Sequence, residues 1–192
     1  MLKLSSVYFS YNEKKIIKDY SLTVNDGECV ALKGDSGSGK TTVALILLGL
    51  RKPDSGTVDA PEKISVVFQE DRFVENLSLI KNIRMAIPKE KYEFADLLLE
   101  KVGLSEFKSK KIYELSGGMK RRAAIVRAIA FGGDALILDE AFNGIDDNNK
   151  EICASLIKQY FTESGKPILF ITHIDSDAKL LNSRTEYIER NR

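Results

Sequence analysis

Apolar residues recur along this chain with two periods. Leu2–Phe9 and Tyr20–Val24 alternate apolar and polar positions, the second run stopping at the turn Asn25-Asp26-Gly27, so both read as strands. CVALK at Cys29–Lys33, ISVVF at Ile64–Phe68, ALIL at Ala135–Leu138 and ILFIT at Ile168–Thr172 are short, nearly unbroken apolar runs. Runs of that kind fit strands covered on both faces, as in a parallel sheet. Between them the spacing changes to three and four. Thr41–Leu50 reads as a helix ended by Arg51-Lys52-Pro53-Asp54-Ser55-Gly56. Met119, Ala123, Val126, Arg127 and Ala130 place a second helix within Leu115–Ala130. Ile152, Leu156 and Tyr160 place a third at about Asn148–Phe161.

Residues 71–115 carry helical spacing at Tyr92, Ala95, Leu99 and Val102 and no strand pattern, and Arg184–Ile188 reads as a last edge strand. The pattern predicts one α/β domain over residues 1–192. It has a mainly parallel sheet, antiparallel strands at the N-terminus, and a small helical subdomain (71–115) inserted between core segments 1–70 and 116–192.

Composition narrows the partners. The 192 residues are 43% hydrophobic and 30% charged, within the range of soluble globular proteins. Lys and Arg total 29 against 28 acidic residues, a net charge of +1, which gives no electrostatic case for nucleic acid or an anionic membrane. Lys120-Arg121-Arg122 reads as a solvated helix face. The 2 cysteines, Cys29 and Cys153, lie far apart in apolar patterns and read as buried thiols in a reducing compartment. The longest apolar run, Val43–Leu50, is too short to span a bilayer, and MLKLSSVYFSY has no signal-peptide core. The chain is therefore expected in the cytoplasm, reaching a membrane only if another protein holds it there.

Three segments carry candidate chemistry. Gly34-Asp35-Ser36-Gly37-Ser38-Gly39-Lys40-Thr41 fits G-x-x-x-x-G-K-[ST] between a strand and a helix. Its glycines let backbone N–H groups wrap a phosphate, Lys40 adds positive charge, the Thr41 hydroxyl suits Mg²⁺, and Thr42 offers a further hydroxyl. ALIL is followed by Asp139 and Glu140, two carboxylates at the end of a buried strand, where parallel sheets bind ligands. Asp139 is placed to hold the metal and Glu140 to act as general base on water. His173, the single histidine, follows ILFIT on the same sheet edge and is placed near the terminal phosphate. Ser116-Gly117-Gly118 opens a helix with a capping hydroxyl and free N–H groups, a second anion-binding end within one chain.

Together these residues resemble the ATP-binding cassette (ABC) ATPases, with the family's motifs in order over nearly the whole chain. In that resemblance Gly34–Thr41 is the Walker A loop, and Val67-Phe68-Gln69 is the Q-loop, whose glutamine meets Mg²⁺ or the attacking water. Leu115-Ser116-Gly117-Gly118-Met119 is the signature, Ala135–Glu140 is Walker B with the catalytic glutamate, Asp146 falls in the D-loop, and His173 is the switch histidine. Tyr11 matches the aromatic that stacks on adenine. The resemblance implies ATP and Mg²⁺ as cofactors and head-to-tail pairing of two cassettes, identical or different. ATP on one Walker A loop is then covered by the other chain's signature, which explains the second anion-binding end. It further implies a separate transmembrane permease subunit, location at the inner face of the cell membrane through that subunit, and no nucleic-acid partner.

Several positions depart from the family pattern. Met119 stands for the usual glutamine, Ala141 for the usual proline, and Asn143-Gly144-Ile145-Asp146 is a variant D-loop. The stretch from Gln69 to Ser116 is short for the family, and little chain follows His173. Two alternatives stand beside a transporter subunit. One is a soluble ABC ATPase of DNA repair or translation, which usually carries coiled coils, zinc cysteines or fused cassettes. The other is a P-loop small-molecule kinase, which has no use for LSGG. Phe73, Val74 and Leu77 are the residues expected to line a groove for the permease.

Overall fold

The computed structural model describes residues 1–190. Its strands, in chain order, are β1 (Leu2–Tyr11), β2 (Lys14–Val24), β3 (Cys29–Lys33), β4 (Ser55–Asp59), β5 (Ile64–Val67), β6 (Ala135–Asp139), β7 (Ile168–Ile171) and β8 (Arg184–Tyr187). The helices are α1 (Lys40–Leu47), α2 (Leu79–Arg84), α3 (Tyr92–Lys101), α4 (Gly117–Phe131), α5 (Asp147–Tyr160) and α6 (Asp175–Leu180). β2-β1-β4 form an antiparallel sheet, and β5-β6-β7-β3-β8 form a sheet whose pairings are all parallel.

The alternation of side chains along each buried strand divides the core in two. Ala135, Ile137, Leu169, Ile171, Val30 and Leu32 face α1 and the antiparallel sheet, packing with Val43, Ile46, Leu2 and Leu4. Leu136, Leu138, Ile168 and Phe170 face the other way, onto α4, α5 and the small helices of residues 71–115. Phe142 and Phe170, both fully buried, meet edge to face at 5.5 Å. Such a pair contributes about 0.5–1.5 kcal/mol beyond its burial. It also braces the chain two residues beyond Glu140. Cys29 and Cys153 are buried free thiols, and burial pushes both up to about 12.

Four elements differ from the sequence expectation. β2 begins at Lys14 rather than Tyr20, because its first half, KKIIKDY, faces solvent with most of its residues and shows little period. β4 occupies part of a segment expected to be turn; all five of its residues are exposed, and β1 is its pairing partner. The first helix ends at Leu47 rather than Leu50, where the chain turns through Gly49 in the left-handed region. α6 was not expected, being only six residues long. The edge strand at 184–187 is present and pairs parallel to β3. Among the described residues, no helix is long and apolar enough to cross a membrane.

Candidate functional site

The site forms where β3, β6 and β7 end together. β3 runs out at Lys33 and the chain loops through Gly34–Gly39 before α1 begins at Lys40. Gly34 cannot carry a side chain: its φ is +153°, and a Cβ there would lie 2.3 Å from the Ile188 carbonyl oxygen beyond β8. Gly39, at φ +105°, turns the chain into α1 in a conformation L residues avoid. The Lys40 ammonium arches back over the loop and donates to the carbonyls of Gly34 (2.7 Å) and Asp35 (2.8 Å).

The Thr41 hydroxyl donates to Asp139 Oδ2 at 3.1 Å, joining the start of α1 to the end of β6. Burial raises the Asp139 carboxyl above its ordinary range. The Thr41 hydrogen bond opposes that shift, neighbouring Glu140 adds to it, and Lys40 opposes it. A hydroxyl and a desolvated carboxylate side by side are the hard oxygen donors that suit Mg²⁺, and a cation there would offset the cost of burying Asp139.

Glu140 stands one residue beyond β6, in the left-handed region at φ +51°. Its N–H donates to the Ile171 carbonyl at 2.9 Å, so the end of β7 holds the strained backbone. Three side chains converge on its carboxylate. Gln69 Nε2 donates to Oε2 at 3.3 Å, Asn143 Nδ2 donates to the same oxygen at 2.9 Å, and His173 Nδ1 lies 3.6 Å from Oε1. Asn143 was not among the expected site residues. The available signal was its spacing, three residues after a carboxylate at a strand end.

These groups open into one cavity of about 540 Å³. Its walls include Gly34, Ser36, Gly37, Gly39, Lys40, Thr41 and Thr42 on one side and Gln69, Asp139, Glu140 and His173 on the other. Tyr11, Lys14 and Ile16 lie at the rim. Tyr11 is 40% exposed and rests edge-on against Phe9 at 4.8 Å.

Some expected residues lie elsewhere. Asp35 lines a neighbouring cavity with Tyr187 and Ile188, not this one. Ser38 is buried beneath the loop: its N–H donates to the Asp35 carbonyl, its hydroxyl has no partner among the described residues, and its side chain is not part of the cavity wall. Asp146 is the cap of α5, accepting from the Asn149 N–H (3.1 Å) and carboxamide (2.7 Å). These bonds hold its carboxyl below the ordinary range, and the side chain is not part of the cavity wall.

Ser116, Gly117 and Gly118 are also outside the cavity. Ser116 caps α4, accepting from the Met119 N–H at 3.3 Å, and a Cβ on Gly118 would lie 2.6 Å from the Gly144 carbonyl oxygen. Gly117 faces open space. The basic triplet is not the solvated face expected of it. Arg121 is nearly buried and donates to two backbone carbonyls, and Arg122 donates to the Val102 carbonyl and Asn149. Lys120 reaches Glu75. Among the expected groove residues, Val74 lines an apolar cavity of about 370 Å³ with Met85 and Phe131. Phe73 instead packs beneath the Arg127 guanidinium at 4.3 Å, and Leu77 is not in the cavity wall.

A parallel sheet with a glycine-rich loop after one strand, and acidic residues at the end of another, defines a P-loop nucleotide-binding protein. Residues 17–143 match the family described as ABC transporter. The chain is 36% identical over 183 residues to the taurine import ATP-binding protein TauB of Jannaschia sp. (strain CCS1), covering 88% of this chain and 68% of that protein. It is 31% identical over 189 residues to the aliphatic sulfonates import ATP-binding protein SsuB 1 of Rhodococcus jostii (strain RHA1), covering 95% and 77%. Among solved structures it resembles the ATP binding subunit of an ABC transporter with a TM-score of 0.91 at 23% identity, covering all of this chain and 88% of that one. It also resembles the dimeric bacterial ABC transporter cassette MJ0796 with a TM-score of 0.86 at 28% identity, covering all of this chain and 97% of that one. The chain belongs to the ABC transporter ATP-binding family.

Proposed function

We propose that this chain is the ATP-hydrolysing subunit of a transporter whose membrane pathway is a separate polypeptide. The observation that carries the reading is the convergence of Gln69, Asn143 and His173 on the Glu140 carboxylate, beside the Lys40 loop and the Thr41–Asp139 pair. ATP is the substrate. The Gly34–Gly39 loop cradles its phosphates, Lys40 leaves its two carbonyls for the outer phosphates, and Thr42 contributes a hydroxyl. Thr41 and Asp139 would hold Mg²⁺, with Gln69 beside them, and the ion would supply charge neutralisation at the phosphates. Glu140 takes the proton of an attacking water, and His173 and Gln69 keep the carboxylate and that water oriented. Related chains support the transport role: TauB and SsuB 1 are import ATP-binding proteins.

The same reading divides the chain into a nucleotide-binding core, 1–70 and 116–192, and a helical subdomain, 71–115. Two cassettes pair head to tail, so that Ser116, Gly117 and Gly118 of a second copy, or of a related chain, close on the terminal phosphate. The groove lined by Val74, Met85 and Phe131 takes the apolar face of a short amphipathic helix of the permease, which holds the chain at the inner face of the membrane. Val74 and Met85, at 48% and 68% exposure, are apolar side chains left open to such a helix.

Phosphate release from ATP without any acceptor tests the reading and separates it from a kinase. Release is expected with Mg²⁺, is expected to vanish in excess EDTA, and is expected to return when Mg²⁺ is restored. Asp139→Asn should lose it in either case. Release that continues in chelator, or that requires an added acceptor, overturns the reading. Tyr11 gives a second check. Base–aromatic stacking contributes about 1–3 kcal/mol, so Tyr11→Ala should weaken ATP binding by about tenfold or more. Tyr11→Phe should bind as the parent does, because the ring face makes the contact. Equal loss in both variants, read by equilibrium titration with a fluorescent ATP analogue, shifts the role to the hydroxyl.

A further inference from the structure

The segment that carries Gln69 is held by one helix. β5 ends at Val67, and the ladder to β6 stops there, so the carbonyls of Phe68 and Gln69 lie past the last strand pairing. Arg121 of α4 reaches both, with Nη1 on the Phe68 carbonyl at 2.7 Å and Nη2 on the Gln69 carbonyl at 2.6 Å. A guanidinium is a planar fork, and two neighbouring carbonyls fix its plane as well as its position. Asp71 Oδ1 lies 3.1 Å from Nη1 as an ion pair without hydrogen-bond alignment. Further along α4, Arg127 donates to the carbonyls of Asp71 (2.7 Å) and Arg72 (3.0 Å). Four carbonyls in succession, 68, 69, 71 and 72 with only 70 skipped, are thus gripped by two arginines of one helix.

The other end of α4 is Ser116, the cap beside the signature glycines. Within the gripped segment, the Gln69 carboxamide donates to Glu140. Arg121 is 9% exposed, so its charge is not there for solvent. A buried cation among carbonyls and one carboxylate is costly to place, and a shorter polar side chain would not reach both the Phe68 and the Gln69 carbonyl. The Gln69 backbone is thus tied to α4 through its carbonyl.

We propose that Arg121 is a positioning residue for ATP hydrolysis: from the signature helix it fixes the Gln69 backbone, and thereby sets the Gln69 carboxamide against Glu140. Any displacement at the Ser116 end of α4, where a second cassette's nucleotide would dock, is then transmitted to the hydrolytic carboxylate of the same chain. The inference rests on the hydrolytic reading above.

The test compares Arg121→Gln, Arg121→Lys, Gln69→Ala and the Arg121→Gln/Gln69→Ala double variant in the full chain, using phosphate release and amide hydrogen exchange. Arg121→Gln is expected to lower kcat about tenfold with KM for ATP within about threefold of the parent, a loss confined to the hydrolytic step. Arg121→Lys, which keeps the charge but cannot fork, is expected to fall between. Exchange over residues 68–72 should rise in Arg121→Gln while β3, β6 and β7 stay protected. If Arg121 acts through Gln69, the double variant is no slower than Gln69→Ala alone. Additive losses, an unchanged kcat, or unchanged exchange over 68–72 each overturn the clamp. A wild-type chain that releases no phosphate defeats the hydrolytic reading, and the catalytic part of this proposal with it, whereas the exchange measurement still reports whether the clamp exists.

Discussion

Glu140→Gln is expected to reduce ATP hydrolysis by about 10²–10⁴-fold, the usual worth of a positioned general base, while Mg-ATP binding survives. The two side chains have nearly the same shape, so the left-handed backbone at Glu140 and its N–H bond to Ile171 are undisturbed. The amide oxygen still accepts from Asn143, whose donor lies 2.9 Å away in the parent. What disappears is the second lone-pair oxygen that takes a proton from water. The Lys40 loop and the Thr41–Asp139 pair are untouched, so nucleotide affinity is retained. If the terminal phosphate joins two cassettes as proposed, hydrolysis removes that link, so the slow variant should accumulate as an ATP-bound dimer while the parent stays mostly monomeric. Light scattering with and without ATP reads the mass directly. A Glu140→Gln chain that hydrolyses at the parent rate removes Glu140 from the role of base. One that binds ATP and stays monomeric at high concentration defeats the shared-site reading, unless adding the membrane subunit restores pairing.

How much of this was legible in the sequence follows from where each residue's partners lie. CVALK, ALIL and ILFI were readable because both faces of a central parallel strand are buried, leaving a continuous apolar run. SGTVD was not, because every residue of that edge strand faces solvent and its pairing with β1 depends on the backbone alone. Helix α4 exposed the limit of periodicity. It is buried around much of its circumference, Arg121, Ala124, Ile125 and Ile129 included, so spacing placed the helix but did not say which cation turned inward. The partners of Arg121 lie more than fifty residues away in sequence, at the end of a different strand.

The site divides along the same line. Lys40, Thr41, Asp139 and Glu140 were legible because a strand end and a helix start fix their side chains locally, and a short motif records that geometry. Ser38 sits in the same loop motif as Lys40, and Asp146 in the D-loop a few residues after Glu140, yet one turns into the core beneath the loop and the other caps a helix. A motif records which residues occur together, not which of them face the ligand. The left-handed backbone of Glu140, the bond from Asn143 and the clamp of Arg121 all depend on tertiary contacts that no local pattern carries.

Ser116→Arg in the Glu140→Gln background is expected to abolish the ATP-dependent dimer while leaving ATP binding by the monomer intact. Ser116 lies outside the cavity of its own chain, and Lys40 and Thr41, which line that cavity, are far from it along the chain and unaffected by the change. In a head-to-tail pair, the long side chain would occupy the space where the neighbouring copy's terminal phosphate must sit. The substitution has one confounding effect, since Ser116 also caps α4 by accepting from the Met119 N–H. Losing a cap of this kind costs about 0.5–2 kcal/mol and could fray the helix start by itself. Ser116→Asp separates the two causes. Aspartate caps a helix as well as serine does, and its charge favours the helix N-terminus. It nevertheless places a carboxylate against the incoming phosphates, where like charges repel. Both variants should therefore remain monomeric with ATP, and the aspartate variant should keep the melting temperature of its parent. Raising the ionic strength should partly restore the aspartate dimer through screening and leave the arginine variant monomeric, because bulk is not screened. If either variant dimerises with ATP as readily as the Glu140→Gln parent, then Ser116-Gly117-Gly118 is a helix cap alone, and the second anion-binding end has no role in holding nucleotide.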